Sequence, residues 1–129
     1  MKKKAMIIML LLAAFTFAHA QEVMKKEKDG TYIVNTTTLA QDVDGYNGPT
    51  PVEIYIKKNT IVKVVMLNSQ ETPKHNARVK KTMLGSYEGM KLSKGKKVAD
   101  VDGVTGATFT ADAVKENVRR GVEYYWKHK

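Results

Sequence analysis

The sequence predicts an α+β fold in which a small antiparallel sheet packs against two helices. Three observations carry this. Val52, Ile54 and Ile56 alternate with Glu53, Tyr55 and Lys57, the period of a strand with one buried face. Ile61 to Leu67 follows as an apolar return strand after Lys58-Asn59, a pair suited to a tight turn. Val114, Val118 and Val122 then recur every four residues, the spacing of a buried helical stripe.

Taken in order, the mature chain opens with Gln21 to Asp29, polar and charged, read as a mobile lead-in. Thr31 to Thr38 is rich in β-branched residues around Tyr32, Ile33 and Val34 and reads as the first strand. Gln41 to Pro51 holds Asp, Gly, Asn and Pro, the residues of turns. Ile61 to Leu67 is interrupted only by Lys63, which predicts burial on both faces. Val79, Met83 and Tyr87, with Leu84 alongside, predict a helix from about Asn76 to Met90, although Gly85 costs it roughly 1 kcal/mol against alanine. Lys94-Gly95-Lys96 is a turn, and Val98 to Val101 a short strand. The last helix runs from Phe109 to Trp126, with Thr110 as its N-cap and Asp112 suited to the dipole. Lys127 and Lys129 suit its C-terminal end.

The first twenty residues set the expected compartment. Lys2, Lys3 and Lys4 precede an apolar run from Ala5 to Phe15, and Ala18-His19-Ala20 is a small-x-small cleavage site. The run is short of the ~20 residues of a spanning helix. An exported protein, periplasmic or at the cell surface, is the expectation, with a retained anchor as the alternative. Cleavage after Ala20 leaves 109 residues, enough for one small domain. The leader holds three lysines and no acid, so its loss takes the formal net charge from +9 to +6. That basic surface lacks a clustered Lys/Arg face with interleaved aromatics, so no nucleic-acid partner is expected. Lys91, Lys94, Lys96 and Lys97 form a local group, read as a solvated loop or as a patch for an anionic partner. The chain has no cysteine, hence no disulfide or lipid-modified cysteine. No paired carboxylates, triad or nucleophile elbow is present, so no catalytic residue is assigned. His75 and His128 are far apart, and no metal site is expected.

The chemistry-bearing stretch is Asp102-Gly103-Val104-Thr105-Gly106-Ala107-Thr108. Two glycines and an alanine make a slender loop, and two threonines put hydroxyls on it. Placed at a helix N-terminus, it meets free N–H groups and the positive end of the helix dipole, an arrangement that favours a phosphate. An unliganded helix-start turn uses the same residues.

Two further blocks lie upstream: Gly45-Tyr46-Asn47-Gly48-Pro49, and Glu71-Thr72-Pro73. With Asp102, Thr105, Gly106, Ala107 and Thr108, these resemble the FMN-binding domain found in the C subunit of the sodium-translocating NADH:quinone reductase and the G subunit of the Rnf complex, and in small exported flavoproteins. The resemblance runs from about Asp44 to Trp126, within a domain drawn at 44–129 behind a leader at 1–20 and a lead-in with first strand at 21–43. The chain departs at Lys74, where the family has glycine.

The resemblance implies FMN joined to Thr108 by a phosphoester. A separate FMN transferase, dependent on FAD and a divalent metal, would attach it and release AMP. It also implies roles for the rest of the motif: Gly103 and Gly106 for a tight turn, Ala107 for low bulk, Thr105 for bonding within the loop. Asp102 would fix the loop or meet the transferase's metal. Glu71 and Thr72 would line the flavin site, or else cap the helix beginning at Pro73. Tyr46 would stack on the flavin ring or close its turn, and Tyr124, Tyr125 and Trp126 would pack the last helix. The implied function is an electron carrier between a membrane electron-transfer protein and an extracytoplasmic acceptor. A flavin-dependent reductase and a module holding FMN or another phosphate ligand reversibly are the alternatives.

Overall fold

A computed structural model describes residues 22–129; the expected leader lies outside them. Four strands form one antiparallel meander in chain order: β1 (Met24–Lys26), β2 (Tyr32–Asn35), β3 (Val52–Lys57) and β4 (Thr60–Met66). Two helices follow, α1 (Pro73–Thr82) and α2 (Thr108–His128), with a short 3₁₀ turn at Leu84–Tyr87. This is the α+β architecture predicted.

β3 keeps the expected alternation, with Val52, Ile54 and Ile56 fully buried. Lys58 and Asn59 join it to β4 at φ 51° and 58°. Two consecutive positive φ values mark the two-residue turn whose twist matches that of paired strands. β4 corrects the expectation of burial on both faces. Ile61, Val64 and Met66 are buried, but Val62 is 47% exposed. The register shifts between Tyr55↔Lys63 and Ile56↔Ile61, so Val62 is the extra residue of a bulge and its side chain leaves the core.

The lead-in is also corrected. Met24 pairs with Val34, Lys25 with Ile33 and Lys26 with Tyr32, which makes this segment an edge strand. Lysines are common on edges because they oppose further pairing, so its polarity hid it. β2 is shorter than Thr31–Thr38. Asn35 Oδ1 accepts from the Thr37 N–H at 2.9 Å, a local bond that turns the chain out of the ladder.

α1 begins at Pro73, three residues before the predicted start, and ends at Thr82, well before the predicted end at Met90. Proline suits the first helical position because its missing N–H has no partner there. Val79, Met83, Leu84 and Tyr87 all reach the core, as their spacing suggested, but across a helix-to-3₁₀ junction. Burial pushes the Tyr87 phenol up to about 12, so it stays protonated in the core. Val98 to Val101 is not a strand. The free edge of β4 is already taken: the Ile61 N–H donates to the Met90 carbonyl at 2.8 Å and the Leu92 N–H to that of Asn59 at 2.7 Å.

α2 is 21 residues long, about 30 Å, and lies across β2 and β3. Ala111, Val114, Val118, Val122 and Tyr125 form its buried stripe. Gly121 marks the closest approach to the sheet, since a Cβ there would lie 2.4 Å from Ile54 Cδ1 and 3.1 Å from Thr36 Cγ2. Gly121→Val therefore forces the helix off the sheet. We expect a loss of about 2–3 kcal/mol in unfolding free energy, read from urea midpoints. A variant within 0.5 kcal/mol of the wild type, the range of ordinary surface changes, would disprove close packing at this point.

Surface ion pairs lash α2 to the loop after β2. Arg120 forms a two-pronged pair with Asp42, at 2.6 and 3.0 Å, and also donates to the Leu39 carbonyl. Arg120 holds the Asp42 carboxyl below its ordinary 3.8, and Arg119 holds Glu116 below its ordinary 4.5. Lys127 lowers Glu123 in the same way. A carboxylate with a depressed pKa in the folded state contributes stability above its unfolded pKa and loses it as pH falls through the folded value. The melting temperature should thus be flat near neutrality and fall once pH drops below about 4.5. Asp42→Asn should shallow that fall. An unchanged acid limb would show that the Arg120 pair adds nothing.

Candidate functional site

The site is built around the turn that delivers α2. Val104 and Ala107 are buried anchors, while Thr105 and Gly106 stand out between them. The Ala107 N–H donates to the Val104 carbonyl at 3.0 Å, and Gly106 has φ +81°. A positive φ at the third residue of a hydrogen-bonded turn is the type II requirement, which glycine meets without strain. Arg78 of α1 donates from Nη1 to the Thr105 carbonyl at 3.3 Å. A Cβ on Gly106 would come within 2.4 Å of that nitrogen, but Arg78 is exposed and its guanidinium can swing aside, so the demand for glycine comes from the positive φ. Gly103 carries no such demand: its Cβ would meet nothing nearer than Lys115 Nζ at 3.9 Å.

The turn changes where the helix starts. Thr108 is its first residue and Ala107 its N-cap, at φ −141° and ψ 38° with no side-chain cap. Thr110, expected as the N-cap, is instead in the first turn and fully buried, and its hydroxyl donates to Glu71 Oε1 at 2.8 Å. No acid lies in that turn. Among the described residues, the N–H groups of Thr108, Phe109 and Thr110 have no acceptor. The result is an uncapped N-terminus with an exposed threonine at its tip.

Thr108 lines an open cavity of about 380 Å³ together with Tyr46, His75, Gly106, Ala107, Phe109 and Thr110. Its walls are aromatic. Tyr46 and Phe109 are 63% and 67% exposed, with ring centroids 6.3 Å apart. His75 meets the Tyr46 ring edge-on at 5.7 Å. Large exposed rings flanking a cavity mark a binding surface rather than a core.

Glu71 stands behind this wall. It is 4% exposed and accepts from the backbone N–H groups of Tyr46 and Asn47 as well as from Thr110. One carboxylate thereby fastens the Gly45–Pro49 loop to the start of α2. Gly45 makes room for it, because a Cβ there would lie 1.8 Å from Glu71 Oε1. The loop is closed by the Gly45 N–H donating to the Gly48 carbonyl at 2.8 Å. A second buried network braces the same region: Asn117 of α2 accepts from the Thr36 hydroxyl and donates to the Ala113 carbonyl at 2.8 Å, and Thr36 receives the Val52 N–H at 2.9 Å.

The expected site residues therefore separate by position. Gly106, Ala107 and Thr108 line the cavity. Thr105 shapes the turn through its carbonyl, while its hydroxyl makes no bond among the described residues. Asp102 is exposed on the approach to the turn, and its carboxylate likewise makes none. Glu71 neither lines the cavity nor caps α1; it positions two elements that do line it. Thr72 is the exposed N-cap of α1 without a side-chain cap bond, outside the cavity lining. Lys74, where glycine was expected, is exposed in the first helical turn, a place that makes no demand for glycine.

His75 and Phe109 were not singled out as site residues. Phe109 carried a signal: five residues before Val114, it stands about 140° from the valine stripe, so an apolar ring there points away from the core. His75 had none, since its place depends on how α1 meets the Tyr46 loop.

No curated protein and no solved structure shows significant similarity to the chain. The model of the FMN-binding domain family matches residues 45–123, from the Gly45 loop to the last turns of α2. That span covers most of the chain, including every residue lining the Thr108 cavity, and this protein belongs to the FMN-binding domain family.

Proposed function

We propose that the protein is an exported electron carrier whose FMN is esterified to Thr108. The observation that carries this is the exposed Thr108 hydroxyl at the tip of an uncapped 21-residue helix, inside an aromatic-walled cavity. The residues fit the group. A phosphate on Thr108 Oγ1 would lie beside the unsatisfied N–H groups and the positive end of α2. Tyr46, His75 and Phe109 offer ring faces and edges to a flat heterocycle. Gly106 and Ala107 keep the approach narrow enough for a modifying enzyme to reach the hydroxyl.

The chain supplies no base for the attachment. Among the described residues no side chain accepts from the Thr108 hydroxyl, and the Glu71 oxygens are engaged elsewhere. An unactivated threonine is a weak nucleophile, which supports modification by a separate FMN transferase. In that step the threonine oxygen bonds to the FMN phosphorus of FAD, the phosphoanhydride breaks, AMP leaves, and the hydroxyl proton passes to a base of the transferase. Bound FMN supplies the redox chemistry, while this chain supplies tether, orientation and surroundings. The openness of the cavity supports a carrier that meets its electron donor and acceptor by contact. The leader-like residues 1–20 support export, and no helix among the described residues is long and apolar enough to cross a membrane.

The test is intact mass measured after denaturation, on protein exported by cells that contain the transferase. A gain of one FMN less one water, mapped to the peptide holding Thr108, is expected. An unmodified mass would overturn the covalent carrier and turn the reading to a module that holds FMN reversibly.

A further inference from the structure

A second cavity lies at the opposite end of α2. Its volume is about 370 Å³, within the range of small-molecule sites. The Lys94–Val98 loop forms one wall, and Val122 and Trp126 of α2 form the floor. Val122 and Trp126 are 14 and 18 residues from Thr108, or about 21–27 Å along the helix, so this cavity is separate from the flavin site.

Its charge is one-sided. Five cations line it (Lys94, Lys96, Lys97, Arg119 and Lys127) against one carboxylate, Glu123. Glu123 is already engaged, by Arg119 at 3.1 Å and Lys127 at 3.1 Å. Arg119 is held by Glu116 as well. Lys94, Lys96 and Lys97 are exposed and have no ion pair among the described residues.

A second observation is independent of charge: Val122 and the half-buried Trp126 ring give the cavity an apolar floor. The site thus combines an apolar floor with a rim of free lysines.

We propose that this cavity binds a small organic anion with an aromatic or short apolar body and a single carboxylate. The body would rest on Val122 and the Trp126 ring, and the carboxylate would meet the ammonium groups of Lys96 and Lys97. A neutral ligand of the same shape would use the floor and leave the lysines without a counter-charge. An inorganic anion would use the lysines and leave the floor bare.

The proposal stands with or without flavin at Thr108, and its test uses the purified protein in either state. Trp126 is the one tryptophan of the chain, so its fluorescence reports on this cavity directly. The probe is 2-naphthoate, with 2-naphthalenemethanol as the uncharged control, and calorimetry gives the stoichiometry. We expect saturable binding of one naphthoate per chain, a change in Trp126 emission, and affinity at least tenfold above that of the alcohol. The exposed pair Lys96→Glu/Lys97→Glu should weaken naphthoate at least tenfold and leave the melting temperature unchanged. Trp126→Ala, which removes the ring from the floor, should weaken it severalfold by calorimetry. Equal affinity for acid and alcohol, indifference to the charge reversal, or binding that never saturates would each overturn the site.

Discussion

Thr108→Ala is expected to yield a colourless protein of native stability. The side chain is exposed at the first helical position and makes no intramolecular hydrogen bond among the described residues. Alanine is a better helix former than threonine, so the change in unfolding free energy should stay within about 0.5 kcal/mol. On the proposed attachment the effect on FMN should be complete, because the ester would need an oxygen and the turn offers no other at that point. Thr105 carries a hydroxyl, but it projects from the turn three residues earlier and does not line the cavity. Thr108→Ser should keep part of the modification, since a primary hydroxyl occupies the same Cβ. Mass spectrometry after denaturation and visible absorbance read both variants. Denaturation-resistant flavin on the Ala variant would remove Thr108 from its role.

The second large effect lies behind the cavity. Gly45→Ala should unfold the Gly45–Pro49 loop from α2 and cost about 3 kcal/mol or more. The new Cβ would stand 1.8 Å from Glu71 Oε1 and 2.9 Å from its Cδ, so the carboxylate has to leave. Its departure strands the N–H groups of Tyr46 and Asn47 and the hydroxyl of Thr110, each at about 1–3 kcal/mol if left buried and unpaired. Glu71→Gln separates geometry from charge. The amide keeps the shape but has a single acceptor oxygen, and its nitrogen faces another donor. We expect a loss of about 2 kcal/mol by urea unfolding, together with slower FMN loading because the Tyr46 wall moves. Full stability in the Gln variant would show that the carboxylate is not the fastening between the two elements.

Several parts of this molecule are legible without coordinates. Period-two burial of Val52, Ile54 and Ile56 follows from the pleat, and the Lys58-Asn59 turn follows from its place between two strands. The valine stripe of α2 follows from helical pitch. The Thr108 motif is legible because a slender loop before a helix has few chemical uses, and its family resemblance narrowed them to FMN.

Other parts depend on what meets what. β1 is polar because it is an edge, and only its pairing with β2 makes it a strand. The Val62 bulge arises from the register of β4 against β3, which no single strand encodes. α1 stops at Thr82 although its apolar period continues, because Leu84 and Tyr87 reach the core equally well from a 3₁₀ turn. Thr110 looks like a cap in isolation, yet the Gly106 turn starts the helix earlier and gives its hydroxyl to Glu71. Glu71 itself was visible only as a motif letter; its function as a buried clamp depends on Gly45, a residue 26 positions away, lacking a Cβ.

What the sequence by itself determined is therefore the β3–β4 hairpin, the valine stripe of the last helix, the family, and the threonine at the helix tip. Each rests on local periodicity or on contiguous residues. What only the tertiary structure decided is the wall of the site, which joins Tyr46, His75 and Phe109 from three separate segments, and the buried carboxylate that fastens the Tyr46 loop to the start of α2. Such contacts depend on loop closure and packing between distant segments, and those distances are set only when the chain has folded.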